Sequence, residues 1–210
     1  MKQRTFYLSS AFLASFVLWT ILVTKVDVAP IGPLDSAVGF ATVNGLFHRF
    51  TGVHMGLYLL TDWLSLIPLV VALGFAILGL IQWIQRKQLQ LVDRNILTLG
   101  GFYAVVLAAY ALFEVLVINY RPILIGGRLE ASYPSSTTLL MLCVMVTCRM
   151  QLKHYIHRPA LRRVLSCTIL LFTALMVLGR TLSGVHWLTD IVGGIFLSCG
   201  LILMYDAANP

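Results

Sequence analysis

Six stretches of this chain are almost wholly apolar, and its polar residues gather between them. The runs cover residues 5–24, 60–84, 96–118, 135–148, 164–179 and 186–204. A helix needs roughly 20 apolar residues to cross a bilayer, and most of these runs come close. Inside lipid every backbone polar group has to be paired within its own segment, so such runs predict helices. The fourth is the shortest and can extend past residue 148. Pro68 inside the second predicts a kink. Between the first two spans, residues 38–55 mix apolar and polar positions, which predicts an amphipathic helix lying on the membrane. No repeat, low-complexity tract or linker interrupts the pattern. The expected fold is all-α: a six-transmembrane-helix bundle with an interfacial helix between the first and second spans, residues 1–210 forming one membrane-embedded domain.

Composition supports this. The chain is 59% hydrophobic and 11% charged, against roughly 25% charged in a soluble domain. The net charge of +7 does not point to nucleic acid, because the basic residues are scattered over loops and no soluble domain carries them. Membrane topology accounts for them better. With the N-terminus in the cytoplasm, Lys2, Arg4, Arg86, Lys87, Arg94, Arg149, Lys153, Arg158, Arg162 and Arg163 are cytoplasmic, ten of the 15 Lys and Arg residues. Lys25, Arg49, Arg121, Arg128 and Arg180 fall outside, as the positive-inside rule prefers. The basic start before the first run reads as a retained signal anchor, since no small-residue cleavage site follows it. Cys143, Cys148, Cys167 and Cys199 lie in apolar runs without CxxC spacing and are expected to be buried, inert thiols.

The most informative string is Gly179-Arg-Thr-Leu-Ser-Gly-Val-His-Trp-Leu-Thr-Asp190, between the last two apolar runs. Ionisable groups are expensive in a bilayer and mark function there. His186 and Asp190 are four apart, on one face if helical. A carboxylate behind an imidazole fixes its tautomer, and an arginine beside it suits phosphate. Under the predicted topology three segments meet at the outer surface. They are Asn119-Tyr-Arg-Pro122, Tyr133-Pro-Ser-Ser-Thr137, and the stretch from Arg180 to Asp190. Pro134 at a helix entrance leaves the following N–H groups free. With the hydroxyls of Ser135 and Ser136 these can cradle an anion. Arg121 and Arg180 can clamp its oxygens while His186 attacks and Asp190 steadies it.

These segments resemble the three ordered motifs of the type 2 phosphatidic acid phosphatase superfamily, K-x6-R-P, P-S-G-H and S-R-x5-H-x3-D. The chain has Glu114-x6-Arg121-Pro122, then Pro134-Ser135-Ser136-Thr137, then Gly179-Arg180-x5-His186-x3-Asp190. The resemblance implies a phosphohistidine at His186, oriented by Asp190. It places the phosphoryl group among Arg121, Arg180, Ser135 and Ser136, and needs neither cofactor nor metal. It implies a lipid phosphate or polyprenyl diphosphate substrate, drawn from the bilayer at the extracytoplasmic face of a cell membrane, bacterial by expectation. No nucleic acid partner is expected, and oligomeric state is not read from the sequence.

Three positions depart from the motifs. Glu114 replaces the lysine, Thr137 the histidine that protonates the leaving group, and Gly179 the serine. Glu114 adds negative charge, for which Arg128 in the connecting loop could compensate. Loss of a general acid costs about 10²–10⁴-fold, mostly for poor leaving groups. An alkoxide has a conjugate acid near water, at about 15.7, whereas that of a phosphate is roughly 6. A threonine site should therefore favour diphosphates, unless Glu114 or Glu130 serves as a displaced acid. A lipid phosphotransferase and a catalytically inactive lipid-phosphate binder or transporter are the alternatives, the latter favoured by Glu114 and Thr137. His48, His54 and Asp62 lack ligand spacing and read as structural or surface residues.

Overall fold

The computed structural model describes residues 2–209, and its backbone hydrogen bonds are closed almost entirely within helices. These are α1 (Lys2–Lys25), α2 (Ala41–Thr51), α3 (Met55–Leu64), α4 (Leu66–Arg86), α5 (Arg94–Val115), α6 (Ser136–Leu140), α7 (Val146–Tyr155), α8 (Pro159–Leu182) and α9 (Leu188–Ala208). Among the described residues, five helical runs are long and apolar enough to cross a membrane: α1, α3 continuing into α4, α5, α8 and α9. The run expected as a span over 135–148 is a helix in three pieces, α6 and α7 joined by a π-helical turn at Met141–Met145. That run is central. Leu139, Met141, Cys143, Val144 and Met145 are buried, while Leu73 and Ile77 of α4 and Leu107 and Leu112 of α5 are exposed. Apolar side chains facing outward on long helices suit hydrocarbon, not water.

The most extensive helix pair is α1 with α9. Ser9 Oγ donates to Gly200 O at 2.8 Å and Trp19 Nε1 to Thr189 O at 3.1 Å. A Cβ on Gly200 would lie 2.6 Å from Leu13 Cδ2, so only glycine permits this approach. Lys2 Nζ donates to Asn209 O, which puts both ends of the described chain at one end of the bundle. The loop before α9 lies at the opposite end.

Several expectations are corrected in detail. The second run breaks at Ser65, where Ser65 Oγ donates to Asp62 O at 2.6 Å. Pro68 stands three residues further on, in the first turn of α4, and its missing N–H and ring interrupt the turn before it, so the expected kink falls at Ser65. The third span ends at Val115. Arg121 therefore does not continue Glu114's helix but belongs to a returning loop. Cys167 is exposed on α8 rather than buried; in a helix facing lipid, an apolar position need not point inward. His48 Nε2 contacts Gly184 O at 3.2 Å and His54 Nε2 contacts Thr51 O at 2.8 Å, both packing roles.

Candidate active site

Two irregular segments bring the polar residues together. The first is the loop between α5 and α6, which doubles back as a narrow hairpin. Arg121 N donates to Glu130 O at 3.0 Å and Ser132 N to Asn119 O at 2.9 Å. Its tip turns through Gly126 and Gly127, both with positive φ, a conformation glycine adopts without steric cost. The second is the turn between α8 and α9. Gly184 has φ +69°, and a Cβ there would lie 2.0 Å from Gly52 O. Gly193 and Gly194 of α9 let the first segment approach closely, since a Cβ on Gly193 would meet the Tyr133 ring at 2.6 Å.

His186 lies in that turn, 3% exposed, one residue before the N-cap of α9. Arg121 NH1 contacts His186 Nε2 at 3.1 Å. A guanidinium only donates, so Nε2 accepts and the neutral ring carries its proton on Nδ1. Ser132 Oγ lies 3.1 Å from Nδ1, and Ser132 O lies 3.2 Å from it. Asp190 Oδ2 is 3.8 Å from Nδ1, and Ser132 Oγ donates to the same Oδ2. Asp190 is wholly buried and held on both oxygens: Asn119 Nδ2 donates to Oδ1 at 3.1 Å, and Trp187 N donates to Oδ2 at 3.0 Å. Burial pushes the His186 imidazole down to about 4; the Asp190 carboxylate opposes this, and the charges of Arg121 and Arg180 add to it. A buried cation costs more than a neutral ring, so His186 keeps its Nε2 lone pair at neutral pH.

Arg180 is 2% exposed and is held by α3. Its NH2 meets Asp62 Oδ1 at 3.3 Å, NH1 donates to Thr61 Oγ1 at 3.3 Å, and its guanidinium carbon lies 4.8 Å from the Tyr58 ring centroid. Gly179 permits this contact, since a Cβ there would meet Thr61 Cγ2 at 3.0 Å. Arg121 Nε lies 3.0 Å from Glu130 Oε2, an ion pair not aligned as a hydrogen bond. The Nε groups of Arg121 and Arg180 are both buried donors without a hydrogen-bond partner among the described residues. Orphaned buried donors are costly, and an anion is a group that could satisfy them.

The remaining predicted residues divide. Ser135 is fully buried and its hydroxyl accepts from Thr138 N and Oγ1, capping α6, while its own N–H donates to Asp190 O at 3.1 Å. The start of α6 thus uses the hydroxyl oxygen as an acceptor, and the backbone N–H is spent on α9 rather than left free for an anion. Ser136 is half-buried and lines a small pocket with Glu114, Tyr110, Phe113 and Ser132. Glu114 therefore reaches the edge of the site. Thr137 is buried in the first turn of α6. Arg128 is exposed at the hairpin tip.

Sequence reasoning missed Ser132, Asn119, Asp62, Thr61 and Tyr58. Ser132 and Asn119 flank motif residues and could have been flagged by that nearness. Nothing in the sequence ties Asp62 to Arg180, 118 positions away.

An all-helical, multi-pass membrane bundle with a buried histidine–aspartate pair and two arginines at one end defines a narrow class of proteins. The family model for the PAP2 superfamily matches residues 101–208, just over half of the chain, and spans every residue of the site except those of α3. The protein belongs to this superfamily. Its fold is similar to a crystal structure described as the first transmembrane PAP2 type phosphatidylglycerolphosphate phosphatase from Bacillus subtilis, at 14% identity and a TM-score of 0.66. That match covers 95% of this chain and 94% of the other. No curated protein sequence matches the chain.

Proposed function

We propose that the protein is a membrane phosphatase that hydrolyses a lipid phosphate through a phosphohistidine at His186, with a polyprenyl diphosphate as its preferred substrate. The observation that carries this is the Arg121 contact on His186 Nε2, at 3.1 Å, with Ser132 and Asp190 behind the ring. It aims an unprotonated nitrogen at the side chain best suited to phosphate. Arg121 moves from Nε2 onto the phosphoryl oxygens, and Arg180 meets them from the α3 side. The Nε2 lone pair forms the N–P bond while the P–O bond to the leaving group breaks and its electron pair goes to that oxygen. The cationic ring is stabilised by Asp190. Water then attacks phosphorus, the N–P pair returns to Nε2, and the protons leave on inorganic phosphate.

Thr137 supplies no acid to the leaving group, so a phosphate leaving from a diphosphate is served better than an alkoxide. An apolar groove of about 740 Å³ between α4 and α5, lined by Leu73, Ala76, Leu80, Leu97, Gly100 and Ala104, suits hydrocarbon. The chain would cross the membrane six times, counting residues 136–155, with α2 at the interface. Ten basic residues gather at the end that holds the termini, which supports a cytoplasmic N-terminus and a site facing outside.

A second reading, an inactive binder of lipid phosphates, is favoured by the pairing of both arginines with carboxylates, Arg121 with Glu130 and Arg180 with Asp62. The deciding experiment is phosphate release by purified protein from polyprenyl diphosphates, phosphatidic acid and lysophospholipid phosphates. Release fastest from diphosphates is expected. Thr137→His should raise monoester turnover more than diphosphate turnover. No release from any substrate, in the wild type or in the double variant Glu114→Lys with Thr137→His, would favour the binder.

A further inference from the structure

We propose that Ser132 is a positioning residue, the link through which Asp190 holds and polarises His186. This rests on His186 being the nucleophile.

At 3.8 Å, Asp190 Oδ2 and His186 Nδ1 are too far apart for a hydrogen bond. Asp190 is also not free to swing closer, because Asn119 Nδ2 and Trp187 N hold its two oxygens. Ser132 Oγ fills the gap, 3.1 Å from Nδ1 and hydrogen-bonded to Oδ2. Proton bookkeeping allows one direction. Arg121 NH1 can only donate to Nε2, so the ring proton is on Nδ1 and points at Ser132. Asp190, once ionised, can only accept, so the Ser132 hydroxyl proton points at Oδ2. The hydroxyl accepts from the imidazole and donates to the carboxylate at once. Positive charge growing on the ring during attack is thus relayed to Asp190 without a proton changing hands.

The serine is well placed for this. It is 3% exposed, so water does not compete for either bond. Its backbone N–H is fixed on Asn119 O at 2.9 Å, and Asn119 in turn holds Asp190. Its own carbonyl, 3.2 Å from Nδ1, remains as an acceptor if the hydroxyl is removed. Replacing Ser132 by alanine should therefore leave the imidazole proton satisfied while cutting the link to Asp190.

A merely structural serine and a relay differ in how their losses combine. Residues acting through one another give non-additive losses, and independent ones give multiplicative losses. The test is steady-state turnover of the full-length protein in detergent on a polyprenyl diphosphate, for Ser132→Ala, Asp190→Asn, the double variant, Ser132→Thr and His186→Ala. Loss of the partner behind a metal-bound histidine costs about 10- to 100-fold, and by analogy Ser132→Ala should lose that much in kcat with KM within about twofold. Ser132→Thr should recover most of it. In the Ser132→Ala background, Asp190→Asn should cost less than about threefold, although alone it costs far more. Multiplicative losses, or Ser132→Ala turning over within about twofold of wild type, would overturn the relay. Should Ser132→Ala not stay monodisperse, Ser132→Cys takes its place with the same expectations, since a thiol is a weak donor. Activity surviving in His186→Ala would instead sink the phosphohistidine reading itself. A dead His186→Ala beside an unimpaired Ser132→Ala would sink only the relay.

Discussion

Arg121 and Arg180 are both buried in the site region and each has a carboxylate partner, yet their surroundings differ. Arg121 rises from an irregular hairpin, touches Nε2 of His186, and pairs with Glu130, whose side chain is 42% exposed. Arg180 ends a long helix and is held by Asp62, Thr61 and Tyr58 of α3, with no contact to the histidine ring closer than its electrostatic influence. The first is arranged against the histidine ring. The second is arranged as a fixed charge, positioned by helix packing. A motif that treats both as phosphate clamps hides this division.

Substitutions can break that comparison. The largest expected effect is at Arg121: Arg121→Ala should lower kcat/KM by about 10²–10³-fold, the usual worth of a charge-stabilising donor, with little change in thermal stability. Arg180→Ala should lower activity as well, but also the melting temperature, because it empties the contact between α8 and α3. Thermal melts beside the kinetics separate the two. Equal melting temperatures would mean that α3 does not depend on Arg180.

The next effect concerns pH. His186 is held neutral down to about 4, below its ordinary 6.5. Its folded pKa is depressed, so between pH 6.5 and 4 the unfolded chain binds the extra proton. Stability should therefore rise with pH across that window and be lost as pH falls through it. The acid limb of kcat/KM should lie near 4, and the rise of stability with pH across that window should vanish in His186→Gln. An acid limb near 6.5 would contradict the burial of the ring.

Smaller effects sharpen the contrast. Glu130→Gln removes the half-exposed carboxylate beside Arg121 and should tighten inhibition by inorganic phosphate about two- to fivefold, as expected for a partly exposed ion pair. Gly179→Ala puts a methyl 3.0 Å from Thr61 Cγ2. The crowding costs about 1 kcal/mol, offset by a similar gain of alanine over glycine inside a helix, so the melting temperature should move little. The Arg121–His186 pair should be untouched, so kcat should stay within about twofold.

Much of this was legible in the chain. The long apolar runs marked the helices, and the structure sets Arg121, His186 and Asp190, spread over 70 positions, side by side. What escaped has physical causes. Ser132 looks like any loop serine, and its role depends on a gap of 3.8 Å that no sequence displays. Asp62 reads only as a structural or surface residue because its partner arrives from a distant helix. Ser135 caps α6 with its hydroxyl oxygen and gives its N–H to Asp190 O, a backbone link that a motif does not display. Gly179, a departure from the motif, is explained by the close approach of α3.

The most direct test of the central claim is chemical trapping of the intermediate. Protein mixed with a polyprenyl diphosphate labelled on its terminal phosphate, and quenched in alkali within milliseconds, should carry label that is acid-labile and alkali-stable. Peptide mapping should place it on His186, and His186→Ala should carry none. Label absent from wild type during active turnover, or present unchanged in His186→Ala, would contradict the account.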